Sequence, residues 1–121
     1  NQKAKSGKKI LIVEDERPLS HALELKFCHE GYQVTIATNR TDGLEKAQSE
    51  SYSIILLDLI MPQMDGFTFM EQLNKKTPVI ILSNLGQDED KKRAMELGAK
   101  EYYVKSNTPI TDIIKKVKSL I

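Results

Sequence analysis

Short apolar runs alternate five times with segments in which apolar residues recur every three or four positions. Residues 10–13 form the first run. Leu19, Ala22, Leu23 and Phe27 then make a helical stripe, with Pro18 suited to the first turn and Gly31 placed to end the helix in a left-handed cap. Residues 32–36 are β-branched and predict a second strand. A weaker helix covers 40–50 with Leu44 and Ala47 inward, although Gly43 is an unfavourable residue inside it. Residues 53–57 predict the third strand, 61–66 a turn-rich loop, and 66–75 a third helix with Phe67, Met70 and Leu73 on one face. Pro78 opens strand four, where a missing backbone donor is tolerated. Helix four begins at the acidic turn of Asp88, Glu89 and Asp90, which complements its dipole, and stops at Gly98. Tyr102, Tyr103 and Val104 make strand five. Thr108 as N-cap and Pro109 at the next position start helix five, striped by Ile110, Ile113, Ile114, Val117, Leu120 and Ile121.

A strand–helix repeat with nearly continuous apolar strands predicts an α/β fold, its parallel sheet covered on both faces. Strands one, three and four are the most apolar and belong at the centre, leaving two and five for the edges. With right-handed connections, the order becomes 2-1-3-4-5, a doubly wound, flavodoxin-like sheet of five strands.

At 121 residues the chain is one domain with a single core. No apolar run approaches the ~20 residues that span a bilayer, so no membrane partner is expected. The first nine residues hold four lysines and no acid. From 18 basic and 17 acidic side chains this leaves 14 against 17, a balance of −3 behind a formal charge of +1. We therefore expect a flexible basic arm over residues 1–8 and a mildly acidic domain over 9–121, poorly suited to direct nucleic-acid binding. The basic start has no apolar core before Ile10, so a secretory signal is not expected. The lone Cys28 fits a reducing cytoplasm and reads as a packing residue. His21 and His29 fall on the polar side of helix one, and Met61 and Met64 read as loop filling.

The chemistry lies at one edge of the sheet. The third run ends in Asp58, the first runs into Glu14 and Asp15, the fourth into Ser83 and the fifth into Lys105. In open parallel sheets ligands bind beyond the carboxyl ends of the strands, at the point where strand order reverses. Strands one and three flank that point. Three convergent carboxylates repel one another unless protonated or bridged by a cation, and oxygen donors of this kind suit Mg²⁺. An Asp carboxylate can attack a phosphoryl group, while Lys105 and a cation hold its oxygens and Ser83 donates to one. Each residue has a plainer reading alone: Asp58 as a helix or loop cap, Glu14 and Asp15 as an exposed turn, Ser83 as the cap of helix four, Lys105 as a solvated lysine. Their coincidence at one edge is what indicates a phosphoryl site.

The ordered set of Val13, Glu14, Asp15 and Glu16; Leu57, Asp58, Leu59, Ile60, Met61 and Pro62 with Asp65 and Gly66; Ser83; and Leu97, Gly98 and Ala99 through Tyr102 to Val104 and Lys105 resembles the receiver domain of bacterial response regulators. The resemblance runs from about Lys9 to the end of the chain. It implies a cytoplasmic two-component switch that takes a phosphoryl group from a sensor histidine kinase or a small phosphodonor with Mg²⁺ (or Mn²⁺). By motif position, Asp58 is the phosphoacceptor. Asp15, Asp58 and the Ile60 backbone carbonyl are metal ligands, and Glu14 acts through water. Ser83 is the switch hydroxyl, Tyr102 the switch aromatic and Lys105 the ion-pairing lysine. Phosphorylation is expected to draw Ser83 inward, let Tyr102 fill the vacated space, and change the helix 4/strand 5/helix 5 surface read by a partner or effector domain.

Three departures from the family pattern stand out. Ser106 follows the lysine where proline is usual, so the Lys105–Ser106 peptide is trans unless the fold supplies the roughly 3–4 kcal/mol of a non-proline cis bond. Asn84 occupies a position usually small. Ile60 and Leu85, expected beside the phosphoryl group, cannot orient water, which predicts slow self-dephosphorylation. A different class of function, a small Mg²⁺-dependent phosphatase or phosphotransferase using Asp58, would want a second acid two residues later, where Ile60 stands. Nucleic-acid binding through the lysine arm has no helix-turn-helix to support it, and no glycine-rich nucleotide loop is present.

Overall fold

Every predicted apolar run forms a strand: β1 (Lys9–Val13), β2 (Gln33–Ala37), β3 (Ile54–Leu57), β4 (Val79–Ser83) and β5 (Glu101–Val104). Between and after them lie α1 (Arg17–His29), α2 (Arg40–Ser49), α3 (Gly66–Gln72), α4 (Asp88–Glu96) and α5 (Ile110–Leu120). This computed structural model describes residues 8–61, 65–73 and 76–121. The expected basic arm up to residue 7, the loop positions Pro62, Gln63 and Met64, and the expected end of helix three at Asn74 and Lys75 lie outside them.

All four strand pairings are parallel, and the order is β2-β1-β3-β4-β5. The period of two sends alternate residues to opposite faces. Leu11, Val13, Ile55, Leu57 and Ile81 meet Ala47, Phe67, Phe69, Met70 and Ala94 of α2, α3 and α4. Ile10, Ile12, Ile54, Leu56, Ile80 and Leu82 meet Leu23, Phe27, Ile113 and Val117 of α1 and α5. Each such side chain, fully buried, contributes about 1.5–3 kcal/mol relative to exposure, so the central strands anchor the sheet.

Gly43 earns its place in α2 by contact: a Cβ there would lie 2.8 Å from a methyl of Val13. The helix thus packs directly onto β1, next to the strand end that carries Glu14. Gly31 and Gly98 adopt φ of 97° and 106°, the left-handed turns expected after α1 and α4.

Several local expectations are corrected. β2 begins one residue later than predicted, and Tyr32 instead sets its ring edge-on to Phe27, centroids 6.2 Å apart. On α1, Ser20 is buried with Leu23 and Phe27, while Leu19 and Ala22 are only partly covered. Cys28 is exposed rather than packed, because it sits about 100° around the helix from the buried Phe27. His21 and His29 are exposed, as expected. The N-cap of α5 is Pro109, not Thr108, whose hydroxyl donates to the Val104 carbonyl at 2.9 Å. Met61 is buried in the core that includes Leu59 and Phe67.

Candidate functional site

β1 and β3 run side by side, so the residues that follow them emerge together. The Asp58 N–H donates to the Val13 carbonyl at 3.1 Å, and the Glu14 N–H to the Ala37 carbonyl at 3.0 Å. These bonds extend the ladder one residue past the strands and hold both acids at the sheet edge. Each is nearly sealed from solvent, Glu14 at 1% and Asp58 at 3% exposure, while Asp15 is open. Carboxylate oxygens of Glu14, Asp15 and Asp58 lie within 4.8 Å of one another, the acid cluster that could hold a metal among the described residues.

Lys105 reaches this cluster from the end of β5. Its Nζ lies 2.7 Å from Glu14 Oε1, 3.0 Å from Glu16 Oε1 and 3.0 Å from Asp58 Oδ2. The contact to Glu14 Oε1 is an ion pair by proximity, without hydrogen-bond alignment at that oxygen. The second oxygens are held by backbone: Asp58 Oδ1 accepts from the Ile60 N–H and Glu14 Oε2 from the Glu16 N–H, both at 2.9 Å. Asp58 and Glu14 are therefore oriented from two sides before any ligand arrives.

Burial pushes the Asp58 carboxyl above its ordinary pKa; the Ile60 N–H and Lys105 pull it back in part, and Asp15 pushes it further. Glu14 is likewise raised, chiefly by burial, against the neighbouring Lys105 ammonium and the bond from the Glu16 N–H. For Lys105 burial acts to lower the pKa, but the adjacent carboxylates of Glu14, Asp58 and Glu16 outweigh it and hold the ammonium above its usual value. Three carboxyl groups thus share one ammonium, with Asp15 beside them. An excess of hard, anionic oxygens at the sheet edge fits a divalent cation such as Mg²⁺, with Asp15, Asp58 and Glu14 as the side chains to hold it.

The site opens through a cavity of about 240 Å³ lined by Asp15, Glu16, Asp58, Ile60, Asn84 and Lys105. Leu85 is not in this wall; it packs against the core, and polar Asn84 takes the place expected for it. Ser83 is fully buried and does not cap α4, whose N-cap is Gln87. Its Oγ instead accepts from the Leu85 N–H at 3.1 Å. Tyr102 departs from expectation as well. Its side chain is already inside, at 6% exposure, and its hydroxyl donates to the Leu85 carbonyl at 2.6 Å. Burial chiefly raises the Tyr102 pKa. Ser83, Leu85 and Tyr102 are one network in this state, so entry of the ring does not wait on movement of Ser83. The Lys105–Ser106 peptide is trans, and residues Lys105–Asn107 form a 3-10 turn.

Two residues escaped the sequence reading. Glu16 joins the Lys105 ion pairs, which its position two beyond Glu14 could have suggested. Arg40 is buried to 1% exposure, with Nη1 donating to the Leu59 carbonyl and lying 3.4 Å from that of Asp58. A charged residue at a helix start carries no signal of such burial.

Among the described residues, no helix is long and apolar enough to cross a membrane. The family model for the response regulator receiver domain matches residues 10–118. The response regulator ArlR of Staphylococcus saprophyticus is 38% identical over 115 residues, covering 93% of this chain and 52% of that protein. The uncharacterized transcriptional regulatory protein YkoG of Bacillus subtilis is 36% identical, covering 93% and 50%. The chain thus spans about half the length of these curated relatives. Among solved structures, the receiver domain of a Francisella response regulator superimposes with a TM-score of 0.86 at 29% identity, covering 93% and 95% of the two chains. A CheY-like receiver domain protein from Methanospirillum hungatei gives 0.86 at 28%, covering 93% and 91%.

Proposed function

The chain belongs to the response regulator receiver family, and on that premise we propose that it is a phosphorylation-dependent switch whose acceptor is Asp58. As a receiver domain it is a signalling module rather than a classical enzyme. The observation that carries the reading is the setting of Asp58: a buried carboxylate at the end of β3, one oxygen on the Ile60 N–H, the other 3.0 Å from Lys105 Nζ, beside two further acids.

A carboxylate oxygen of Asp58 attacks the donor phosphorus. The new P–O bond forms as the donor's P–N bond (phosphohistidine of a sensor kinase) or P–O bond (a small acyl phosphate) breaks, and the bonding pair leaves with the donor. Lys105 shifts from Asp58 Oδ2 towards a phosphoryl oxygen, with Glu14 and Glu16 keeping its ammonium in place. Ser83 turns its hydroxyl proton to another phosphoryl oxygen while its Oγ still accepts from Leu85. Asp15, Asp58, Glu14 and the Ile60 carbonyl would hold Mg²⁺ (or Mn²⁺), which neutralises charge on the transferring group when bound.

Turning the Ser83 hydroxyl towards the phosphoryl group pulls on the Leu85 backbone, whose N–H it holds and whose carbonyl accepts from Tyr102. The change then passes to α4, β5 and α5, the surface a partner protein or effector domain reads. A sensor histidine kinase as donor and a cytoplasmic location belong to the same reading.

The test is incubation with acetyl phosphate and Mg²⁺ followed by intact-mass spectrometry. One phosphoryl adduct is expected on the native protein and none on Asp58→Asn. No adduct on the native chain under any phosphodonor would sink the proposal.

A further inference from the structure

Among the described residues, Arg40 is the largest fully buried side chain. Removing a guanidinium from water is costly unless its donors find partners. Here the partners are the backbone of the turn after β3: Nη1 donates to the Leu59 carbonyl and lies 3.4 Å from the Asp58 carbonyl. The slot is closed on its far side by Gly66, where a Cβ would come 3.4 Å from Nη1 and 2.6 Å from a methyl of Leu59. Nε is buried and has no hydrogen-bond partner. Three carboxylates act on the group, those of Asp58, Asp65 and Asp15. The same short segment is pinned from within, because Asp58 Oδ1 accepts from the Ile60 N–H. The segment is therefore held at the Asp58 and Leu59 carbonyls by Arg40 and at the Asp58 side chain by the Ile60 N–H.

We propose that Arg40 is a positioning residue for the acceptor site: by holding the Asp58 and Leu59 carbonyls it sets the peptide course that aims the Asp58 carboxylate and the Ile60 carbonyl at the divalent cation. This rests on the acceptor-site reading given above. Arginine suits the task because its planar fork is always charged and presents donors in fixed directions, whereas lysine offers a single mobile point. Groups that orient metal ligands typically govern affinity by roughly 10- to 100-fold when removed.

The test is calorimetric titration of Mg²⁺ into the whole chain for native protein, Arg40→Lys and Arg40→Gln, with amide spectra of Leu59 and Ile60 recorded alongside. Arg40→Gln should weaken Mg²⁺ by roughly tenfold or more and move both amides, while Arg40→Lys recovers part of the affinity. A folded Arg40→Gln whose Kd stays within about twofold of native would overturn the inference. So would tighter binding, which would make Arg40 only a repelling charge. Where Arg40→Gln does not fold, Arg40→Lys decides on the same criterion: weaker Mg²⁺ binding supports the role, and unchanged binding overturns it. Absence of Mg²⁺ binding by native protein would instead overturn the acceptor-site reading itself, and this inference with it.

Discussion

The backbone N–H of Ser106 donates to Oδ1 of Asn84 at 3.2 Å. The two positions at which this chain departs most clearly from the receiver pattern are thus one feature. A proline at 106 would have no N–H to give, and an alanine or glycine at 84 would have no acceptor. The bond ties the loop after β4 to the turn after β5, across the mouth of the cavity that leads to Asp58.

That pairing is measurable by a double-mutant cycle in urea. Asn84→Ala is expected to cost about 0.5–1 kcal/mol, the low end for an exposed hydrogen bond. Ser106→Pro should cost more, since proline also disfavours the helical backbone of Lys105 before it. In the Asn84→Ala background the Ser106→Pro cost should shrink by the shared bond. Strict additivity would refute the coupling.

The acid cluster predicts an unusual pH dependence. Asp58 and Glu14 have raised pKa values, so the folded state holds more protons than the unfolded one above about pH 4. Stability from these groups therefore falls as pH rises through that window. Lys105 acts elsewhere: its contribution is complete below about pH 10.4 and is lost only as pH climbs through its raised value. Without divalent cation, Asp58→Asn should melt above native protein at about pH 8, the gap closing towards about pH 4. Mg²⁺ at about a hundred times its Kd should stabilise native protein by about 2.7 kcal/mol and the variant by much less. A gap that ignores both pH and Mg²⁺ would contradict the assignment.

Gly43→Ala offers a packing test. The substitution improves helix propensity by up to about 1 kcal/mol. Its methyl, however, would stand 2.8 Å from Val13, and overpacking costs about 1–3 kcal/mol. Net destabilisation is expected in chemical denaturation. Val13→Ala should relieve part of it, and a stabilised single variant would show that α2 does not press on β1 as described.

Ile60 is half exposed and lines the cavity beside Asp58, where it offers no group to orient water. Asn84 also faces the cavity, but its Oδ1 is occupied by Ser106. The phosphorylated protein should keep its label for minutes or longer, and Ile60→Gln should speed the loss by roughly tenfold or more. A native half-life of seconds, followed by intact mass, would contradict this.

Ser83→Ala should still accept a phosphoryl group on Asp58 but respond weakly to it, because the hydroxyl that accepts from the Leu85 N–H, and through Leu85 joins Tyr102, is gone. Equal partner affinity for labelled variant and labelled native protein would break the link. A labelled Tyr102→Phe should show whether the Leu85 contact, worth about 1 kcal/mol as a hydrogen bond, carries the signal onward.

The linear pattern alone determined the number and order of strands and the gathering of Glu14, Asp15, Asp58, Ser83 and Lys105 at one edge. The reason is geometric: in a parallel sheet every strand's carboxyl end opens on the same side, so polar residues after apolar runs converge whatever the loops do. Periodicity gives the face a side chain takes on its own element, and only the tertiary structure decided what that face meets. The inward Tyr102 and the core-facing Leu85 followed from packing between elements far apart in the chain. The same holds for Glu16 on Lys105, Asn84 on Ser106 and the buried Arg40 beneath the acceptor turn. Each joins residues from different loops, and their reach across space leaves no trace in spacing along the chain.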